Sequence, residues 1–296
     1  MMALKNNTWK LNQWYAQDVA GNVDYTGSGE LWVWGQDNVG QLGRNTIGSH
    51  PDNGLSSPVQ VPGSWGGNSV FKGKRSQFML FKSGELWVMG NNTYGQLGLN
   101  NTTKYSSPTQ VPGTTWSTGA IGESNAAGLI RTDGTLWMVG ADSNGQLAQN
   151  NQTGYSSPKQ VPGTTWSEIA GGEGFFLATK TDGTLWSWGE NNNGQLGQNN
   201  KTLRSSPIQI PGSTWNQVAA SRGSSYARKS DGTIWAWGTN SGGNLGQNNK
   251  TNYSSPRQVG SDTTWANLAT ATESGGGNQI LATKTDGTLW AWGEPG

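Results

Sequence analysis

At 296 residues the chain has the length of two average domains or of one large β domain. It has no cysteine, which excludes disulfides, thiol catalysis and cysteine zinc sites. With 19 Lys+Arg against 18 Asp+Glu, 12% charged residues and a formal net charge of +1, it lacks both the basic face of a nucleic-acid binder and the high charge of a disordered chain.

Seventeen Trp and 46 Gly, with only 32% hydrophobic residues, describe a core of few, bulky aromatic pieces separated by turns. The opening residues Met1 to Asn7 hold no apolar run of the secretory kind, and no stretch reaches the ~18 apolar residues of a membrane span. The expectation is a product made in the cytoplasm, without membrane insertion.

The Leu or Ile before a Trp recurs at Leu31, Leu86, Leu136, Leu185, Ile234 and Leu289, in steps of 55, 50, 49, 49 and 55 residues. A period near fifty belongs to modules that cannot bury their own faces and must stack on their neighbours. The whole chain, 1–296, then reads as one domain of six units: 1–35, 36–90, 91–140, 141–189, 190–238 and 239–296. In the fourth unit the strand-length segments are Pro158 to Val161, Trp166 to Ala170, Phe175 to Lys180 and Thr184 to Trp188. Turn formers bound each of them, and no helical periodicity competes. Four antiparallel strands per unit, six times over, predict an all-β fold, a single six-bladed β-propeller.

Asp-Gly pairs at 133–134, 182–183, 231–232 and 286–287 lie between β-rich runs and predict hairpins with type I′ turns, both central residues at positive φ. Trp186 and Trp188 alternate with Ser187, so both fall on one face of the strand, and that face is expected to pack on the following blade. Sixteen of the seventeen Trp occupy repeat positions. The Gly-Gln-Leu-Gly step at 40–43, 95–98 and 194–197 lacks the Lys-Ser/Thr of a phosphate loop and reads as a corner with a core-plugging Leu. Aligning Trp9 with Trp116 places Ala3-Leu4 where Gln110-Val111 stand, so the N-terminal residues are expected to supply a strand that helps close the ring.

These residues, Gly-x-Leu-Trp-x-Trp-Gly followed by Asn-x-x-Gly-Gln-Leu-Gly, resemble the regulator of chromosome condensation repeat family over essentially all 296 residues. The resemblance implies a propeller, commonly seven-bladed in that family. Kelch units have a similar period, but their paired glycines and Tyr-Trp spacing do not match. The family's founding activity is nucleotide exchange on a small GTPase, and no basic tail or acidic exchange loop supports it here. Ser156 to Trp166, joined to Asn-Asn loops, is similar to repeats of predicted virion proteins of marine bacteriophages. That resemblance implies a non-enzymatic virion component of a tail, fibre or capsid, bound to another virion protein or to the host surface. The alternative is a glycan-binding, lectin-like propeller, with Trp14, Tyr105, Tyr155 and Tyr253 as the sugar platforms.

Binding is expected where the repeat pattern breaks. The breaks are Trp14-Tyr15, the insertion Thr46 to Leu55 with His50 and Pro51, and the basic cluster Lys72, Lys74 and Arg75. Catalytic residues, cofactors and metal ligands are expected to be none. The single His stands in an insertion, and the glutamates at 30, 85, 168, 173 and 190 form no carboxylate pair that the sequence can assign.

Overall fold

A computed structural model describes residues 29–46, 54–63, 65, 70–74, 77–272 and 278–293. Among them there is no helix, and the strands form six antiparallel sheets. Two compact units are distinguished. The first, residues 1–93 and 102–114, pairs β1 (Leu31–Gln36) with β2 (Gly54–Val61). It also holds the four-stranded sheet β3 (Val70–Lys74), β4 (Gln77–Lys82), β5 (Glu85–Gly90) and β6 (Tyr105–Val111).

The second unit, residues 94–101 and 115–296, holds four sheets. One is β7 (Trp116–Ile121), β8 (Ala126–Arg131), β9 (Leu136–Gly140) and β10 (Tyr155–Val161). The next is β11 (Trp166–Gly171), β12 (Phe175–Lys180), β13 (Leu185–Gly189) and β14 (Arg204–Ile210). The third is β15 (Trp215–Ser221), β16 (Ser224–Lys229), β17 (Ile234–Gly238) and β18 (Tyr253–Gln258). The last is β19 (Trp265–Thr272), β20 (Asn278–Lys284) and β21 (Leu289–Gly293). In each sheet spatial order follows sequence order, and the first strands β7, β11, β15 and β19 touch in succession.

The sheets are offset from the sequence units by one strand. The Ser-Ser-Pro-x-Gln-Val segment at the head of a unit is the outer strand of the preceding sheet: Leu185 pairs with Ile210, Trp186 with Gln209 and Ser187 with Ile208. The register then jumps to Gly189 opposite Arg204, an interruption that spans Pro207. Proline has no N–H to give a ladder and is tolerated at such an edge. In the last sheet the described residues give β21 no outer partner, and Leu289 and Trp290 are 67% and 49% exposed. The strand expected from Ala3-Leu4 lies outside the described residues.

The Asp-Gly hairpins form, with a different turn. Gly183 N–H donates to Lys180 O at 3.0 Å, and positive φ falls on Gly183 (79°) and not on Asp182. This is a four-residue turn with Thr181-Asp182 at its centre and a left-handed Gly behind it, the bulged hairpin that tolerates a longer loop. Asp182 is selected for its side chain: Oδ1 accepts the Thr184 N–H at 2.9 Å and its hydroxyl at 2.7 Å. Two central residues at positive φ, the type I′ condition, occur instead at Ser83 (50°) and Gly84 (85°), between β4 and β5.

The Trp-x-Trp face packs on the preceding sheet, not on the following one. Trp186 and Trp188 share a core with Ile130, Leu136, Met138 and Leu147. The opposite face of the same sheet, with Leu177 and Leu185, receives Trp215 and Trp237 of the next. A hydrogen bond fixes this direction, because Trp188 Nε1 donates to Gln146 O at 2.9 Å, Trp237 Nε1 to Gln195 O at 2.9 Å and Trp292 Nε1 to Asn244 O at 3.0 Å. The Gly-Gln-Leu-Gly corner is therefore the socket for the next blade's indole. A Cβ on Gly197 would stand 2.9 Å from Trp237 Nε1, which explains the corner's final Gly. Its Leu residues 42, 97, 147, 196 and 245 are all buried.

Candidate functional site

Of the residues expected to bind, Trp14, Tyr15, His50, Pro51 and Arg75 lie outside the described residues, and Lys72 and Lys74 are described only as backbone, paired with Met79 and Gln77. The five glutamates are distributed among structural bonds. Glu30 and Glu85 accept the indole N–H groups of Trp32 and Trp87 at 3.1 Å. Glu168 accepts the Val218 N–H at 3.1 Å. Glu173 pairs with Arg222 at 3.6 Å, and Glu190 accepts from Asn192 at 2.9 Å and from Asn144 at 3.4 Å. Burial raises the Glu190 carboxyl above its usual range. Among the described residues no group of three or more His, Asp or Glu could hold a metal ion.

Side chains converge most strongly at the seams between sheets of the second unit. The last residue of the second strand of each of these sheets is a cation, and it folds over two indoles of the same sheet. Lys180 Nζ stands 4.6 Å from the ring centroids of both Trp166 and Trp186, and Lys229 Nζ stands 4.6 Å from those of Trp215 and Trp235. Arg131 lies 4.5 and 4.3 Å from Trp116 and Trp137, and Lys284 lies 4.9 and 4.2 Å from Trp265 and Trp290. Such cation–π contacts contribute about 0.5 to 2 kcal/mol each, more when desolvated. The paired indoles meet edge to face, with centroids 6.1 Å apart for Trp166 and Trp186 and 6.0 Å apart for Trp215 and Trp235.

The hairpin turn holds these indoles in place. Trp186 Nε1 donates to Thr184 Oγ1 at 3.0 Å, and that hydroxyl donates onward to Asp182. The same relay joins Asp133, Thr135 and Trp137; Asp231, Thr233 and Trp235; and Asp286, Thr288 and Trp290. The threonine hydroxyl, then its N–H, holds the carboxyls of Asp133, Asp182, Asp231 and Asp286 below their usual range.

Beside two of these cages lie cavities of ≈ 410 Å³ and ≈ 340 Å³. They are built from the same residues one repeat apart: Gln149, Asn150, Trp166, Lys180, Trp186 and Pro207 in one; Gln198, Asn199, Trp215, Lys229, Trp235 and Pro256 in the other. Trp166 and Trp215 are 3% and 2% exposed, and neither Nε1 has a hydrogen-bond partner. In the first unit the homologous Trp65 donates to Val61 O at 3.3 Å. Three residues separate Val61 from Trp65, whereas four separate Val161 from Trp166, and the longer loop carries Thr165 at φ 68°. The sequence signal for this cage is a Lys or Arg six residues before the Trp that follows the recurring Leu or Ile: Arg131 before Trp137, Lys180 before Trp186, Lys229 before Trp235 and Lys284 before Trp290.

A second convergence joins hairpin loops of three successive sheets. Glu123 N–H donates to Gly172 O at 2.9 Å, Glu173 N–H to Arg222 O at 2.8 Å, and Arg222 N–H to Glu123 Oε1 at 3.0 Å. Backbone groups are satisfied by neighbours on other sheets, so this network ties the sheets together.

The regulator of chromosome condensation (RCC1) repeat model matches residues 83–122, 182–227 and 231–270, and a second model of that repeat matches 166–195. Comparison with curated protein sequences gives no match. Among solved structures the chain is similar to human WBSCR16, at 20% identity and a TM-score of 0.73, covering 88% of this chain and 71% of that one. It is also similar to yeast RCC1 (Prp20) in a structure bound to Kap60, at 18% identity and a TM-score of 0.75, covering 90% of this chain and 66% of that one. A structure of Prp20p from Saccharomyces cerevisiae gives 17% identity and a TM-score of 0.74, with 89% and 66% covered. The chain thus spans about two thirds of the length of the yeast proteins, and at these identities the likeness is one of fold. Strand meander, indole sockets and matched repeats agree: the chain carries regulator of chromosome condensation repeats, and its antiparallel sheets are the blades of an RCC1-type propeller fold.

Proposed function

We propose that this chain is a non-enzymatic interaction scaffold that serves as a bacteriophage virion component, in a tail, fibre or capsid, and binds another virion protein or the host surface through the segments that depart from its repeat. The observation that carries the reading is the repeat dialect, Ser-Ser-Pro-Lys-Gln-Val-Pro-Gly-Thr-Thr-Trp at 156–166 with its Asn-Asn loops. Recognition through a propeller of this kind has support in its fold neighbours: yeast RCC1 was solved bound to Kap60, and Prp20p was studied for binding to Gsp1p and histones. Those partners belong to those proteins; what transfers to the proposal is a scaffold that presents loops to a macromolecule.

The polar side chains of the repeat favour a scaffold over an enzyme. Asp and Asn side chains recurring in the repeat are engaged in turn bonds two residues away, as in Asp182 accepting from Thr184 and Asn200 accepting from Thr202. Mass spectrometry of purified particles tests the virion reading: the expected result is this chain at stoichiometric abundance, and its absence from intact particles overturns the proposal. Affinity capture from infected and uninfected host lysates tests the rival regulatory role, in which the partner is a soluble host protein.

A further inference from the structure

The four cation-capped indole pairs differ in one respect. Lys284 is ion-paired with the carboxylate of Asp262. Lys180 and Lys229 have no ion pair among the described residues, although they hold the same position over their indoles. Asp262 stands three residues before Trp265, and the residues three before Trp166 and Trp215 are Gly163 and Gly212, which have no side chain to offer. A Cβ placed on Gly163 would lie 3.4 Å from Lys180 Nζ and 3.8 Å from Trp166 Nε1, and one on Gly212 would lie 3.3 Å from Trp215 Nε1. At Gly163 an ammonium and a buried, unpartnered indole N–H therefore converge on a spot without a side chain, and Gly212 leaves the Trp215 N–H similarly open in the cage that Lys229 caps; at Lys284, a loop one residue longer brings the carboxylate of Asp262 to the ammonium. At Trp265 the Nε1 stays without a partner even so, and the internal carboxylate answers the ammonium alone.

We propose that the cavities at Lys180 and Lys229 are two equivalent binding sites for an acidic saccharide, a hexuronate unit whose carboxylate sits beside the lysine as Asp262 does beside Lys284. Carboxylate and ammonium would form a charge-assisted pair in a partly desolvated seam, where such bonds are stronger than in water. Volumes of ≈ 410 and ≈ 340 Å³ lie in the small-molecule range. The walls suit a pyranose: Trp186 and Pro207 offer apolar faces to its C–H groups, and Asn150, Gln160 and Ser206 offer amides and a hydroxyl at the rim. An acidic peptide side chain would use the lysine and leave that rim idle. Two copies one repeat apart add avidity for a polymer that neither copy would hold tightly alone. The inference stands whether or not the chain is part of a virion.

Isothermal titration of the whole chain with trigalacturonate, its methyl ester and triglutamate tests this. Trigalacturonate is expected to bind at two sites per chain, weakening as salt rises, and the uncharged ester to bind at least about tenfold more weakly. The double variant Lys180→Gln/Lys229→Gln should lose binding by a similar factor. Lys180→Arg/Lys229→Arg should keep it, since Arg131 takes the same place in another repeat. Equal affinity for acid and ester overturns the proposal, and that comparison needs no variant to fold. Undiminished binding by a folded double Gln variant, absence of heat at millimolar sugar, or binding of triglutamate without trigalacturonate also overturns it, the last pointing to a protein ligand.

Discussion

Replacing Asp142 by Asn should stabilise the protein at neutral pH and abolish one component of its pH dependence. The position recurs at the head of each corner as Asp37, Asn92, Asp142, Asn191 and Asn240. At 191 and 240 the amide serves two ways. Its oxygen accepts the N–H of Leu196 or Leu245, at 3.0 and 2.9 Å, and its nitrogen donates to carbonyls nine and eleven residues on: Asn200 and Thr202 for Asn191, Asn249 and Thr251 for Asn240. Asp142 keeps the first bond, from Leu147 N–H at 2.8 Å, but its Oδ2 is buried without a partner. An ionised carboxylate has nothing to donate, and burial pushes this carboxyl up to about 6. The ordinary aspartate value is about 3.9, so the folded value exceeds the unfolded one by about 2 units, worth about 3 kcal/mol. Because the folded value is raised, the stabilisation is fully present below pH ~4 and is lost as pH rises through about 6. Wild type should therefore fall behind D142N by about 3 kcal/mol between pH 4 and pH 8, or roughly 6 to 12 °C in Tm for a unit of this size. Calorimetric melts of both proteins across that range give the difference curve. A curve flat with pH, or D142N melting below wild type at pH 8, refutes the reasoning.

Trp188→Ala should cost about 3 to 5 kcal/mol by urea denaturation, since it empties a fully buried site and removes the bond to Gln146 O. Gly128→Ala should destabilise by about 1 to 3 kcal/mol, because the new Cβ would stand 2.3 Å from Ile169 Cδ1; adding Ile169→Val, which deletes that methyl, should restore part of the loss in a double-mutant cycle. Ser83→Asn should raise stability by up to about 0.5 kcal/mol, since Ser83 holds φ 50° in a type I′ turn where Asn is the better residue, and equilibrium unfolding at pH 7 reads the change.

The period, the strand content and the corner leucines were legible because each is a local pattern repeated until chance is excluded. Pairing was not. Tyr155 to Val161 reads equally well as the head of its own unit or the tail of the previous one, and it is its pairing with β9 that assigns it to the previous sheet. The facing of Trp186 and Trp188 failed for a related reason: alternation places both on one side but does not say which blade lies there. Type I′ geometry was expected from Asp-Gly, yet the Thr184 bonds to Asp182 reward a turn that begins one residue earlier. Asn244, at a slot elsewhere filled by Gln, looked like drift. It is a fitted exchange, since the shorter amide donates to Ser224 Oγ at 2.6 Å and to the Tyr226 hydroxyl at 3.2 Å, where a longer side chain would collide with that ring. Burial raises the Tyr226 hydroxyl above its ordinary value, so it stays a neutral donor to Asn244 O at 3.1 Å.

The drift that the repeat tolerates follows from where its bonds are made. Turn bonds run two residues, as from Thr184 to Asp182 or from Thr202 to Asn200, and survive whatever the neighbouring blade carries. Many bonds between blades end on backbone carbonyls, the indole bonds on Gln146 O and Gln195 O and the loop bonds on Ser205 O and Ser254 O, which every sequence supplies. The unit with Met89 at the slot of the second Trp gives up that N–H and still packs on the corner's Leu42, so substitution there is graded. The same economy leaves side-chain positions at the seam free to diverge. Asp262 beside Lys284 and Gly163 beside Lys180 are two outcomes of one loop, the longer version closing a cage with the chain's own carboxylate and the shorter leaving an ammonium that a ligand can answer.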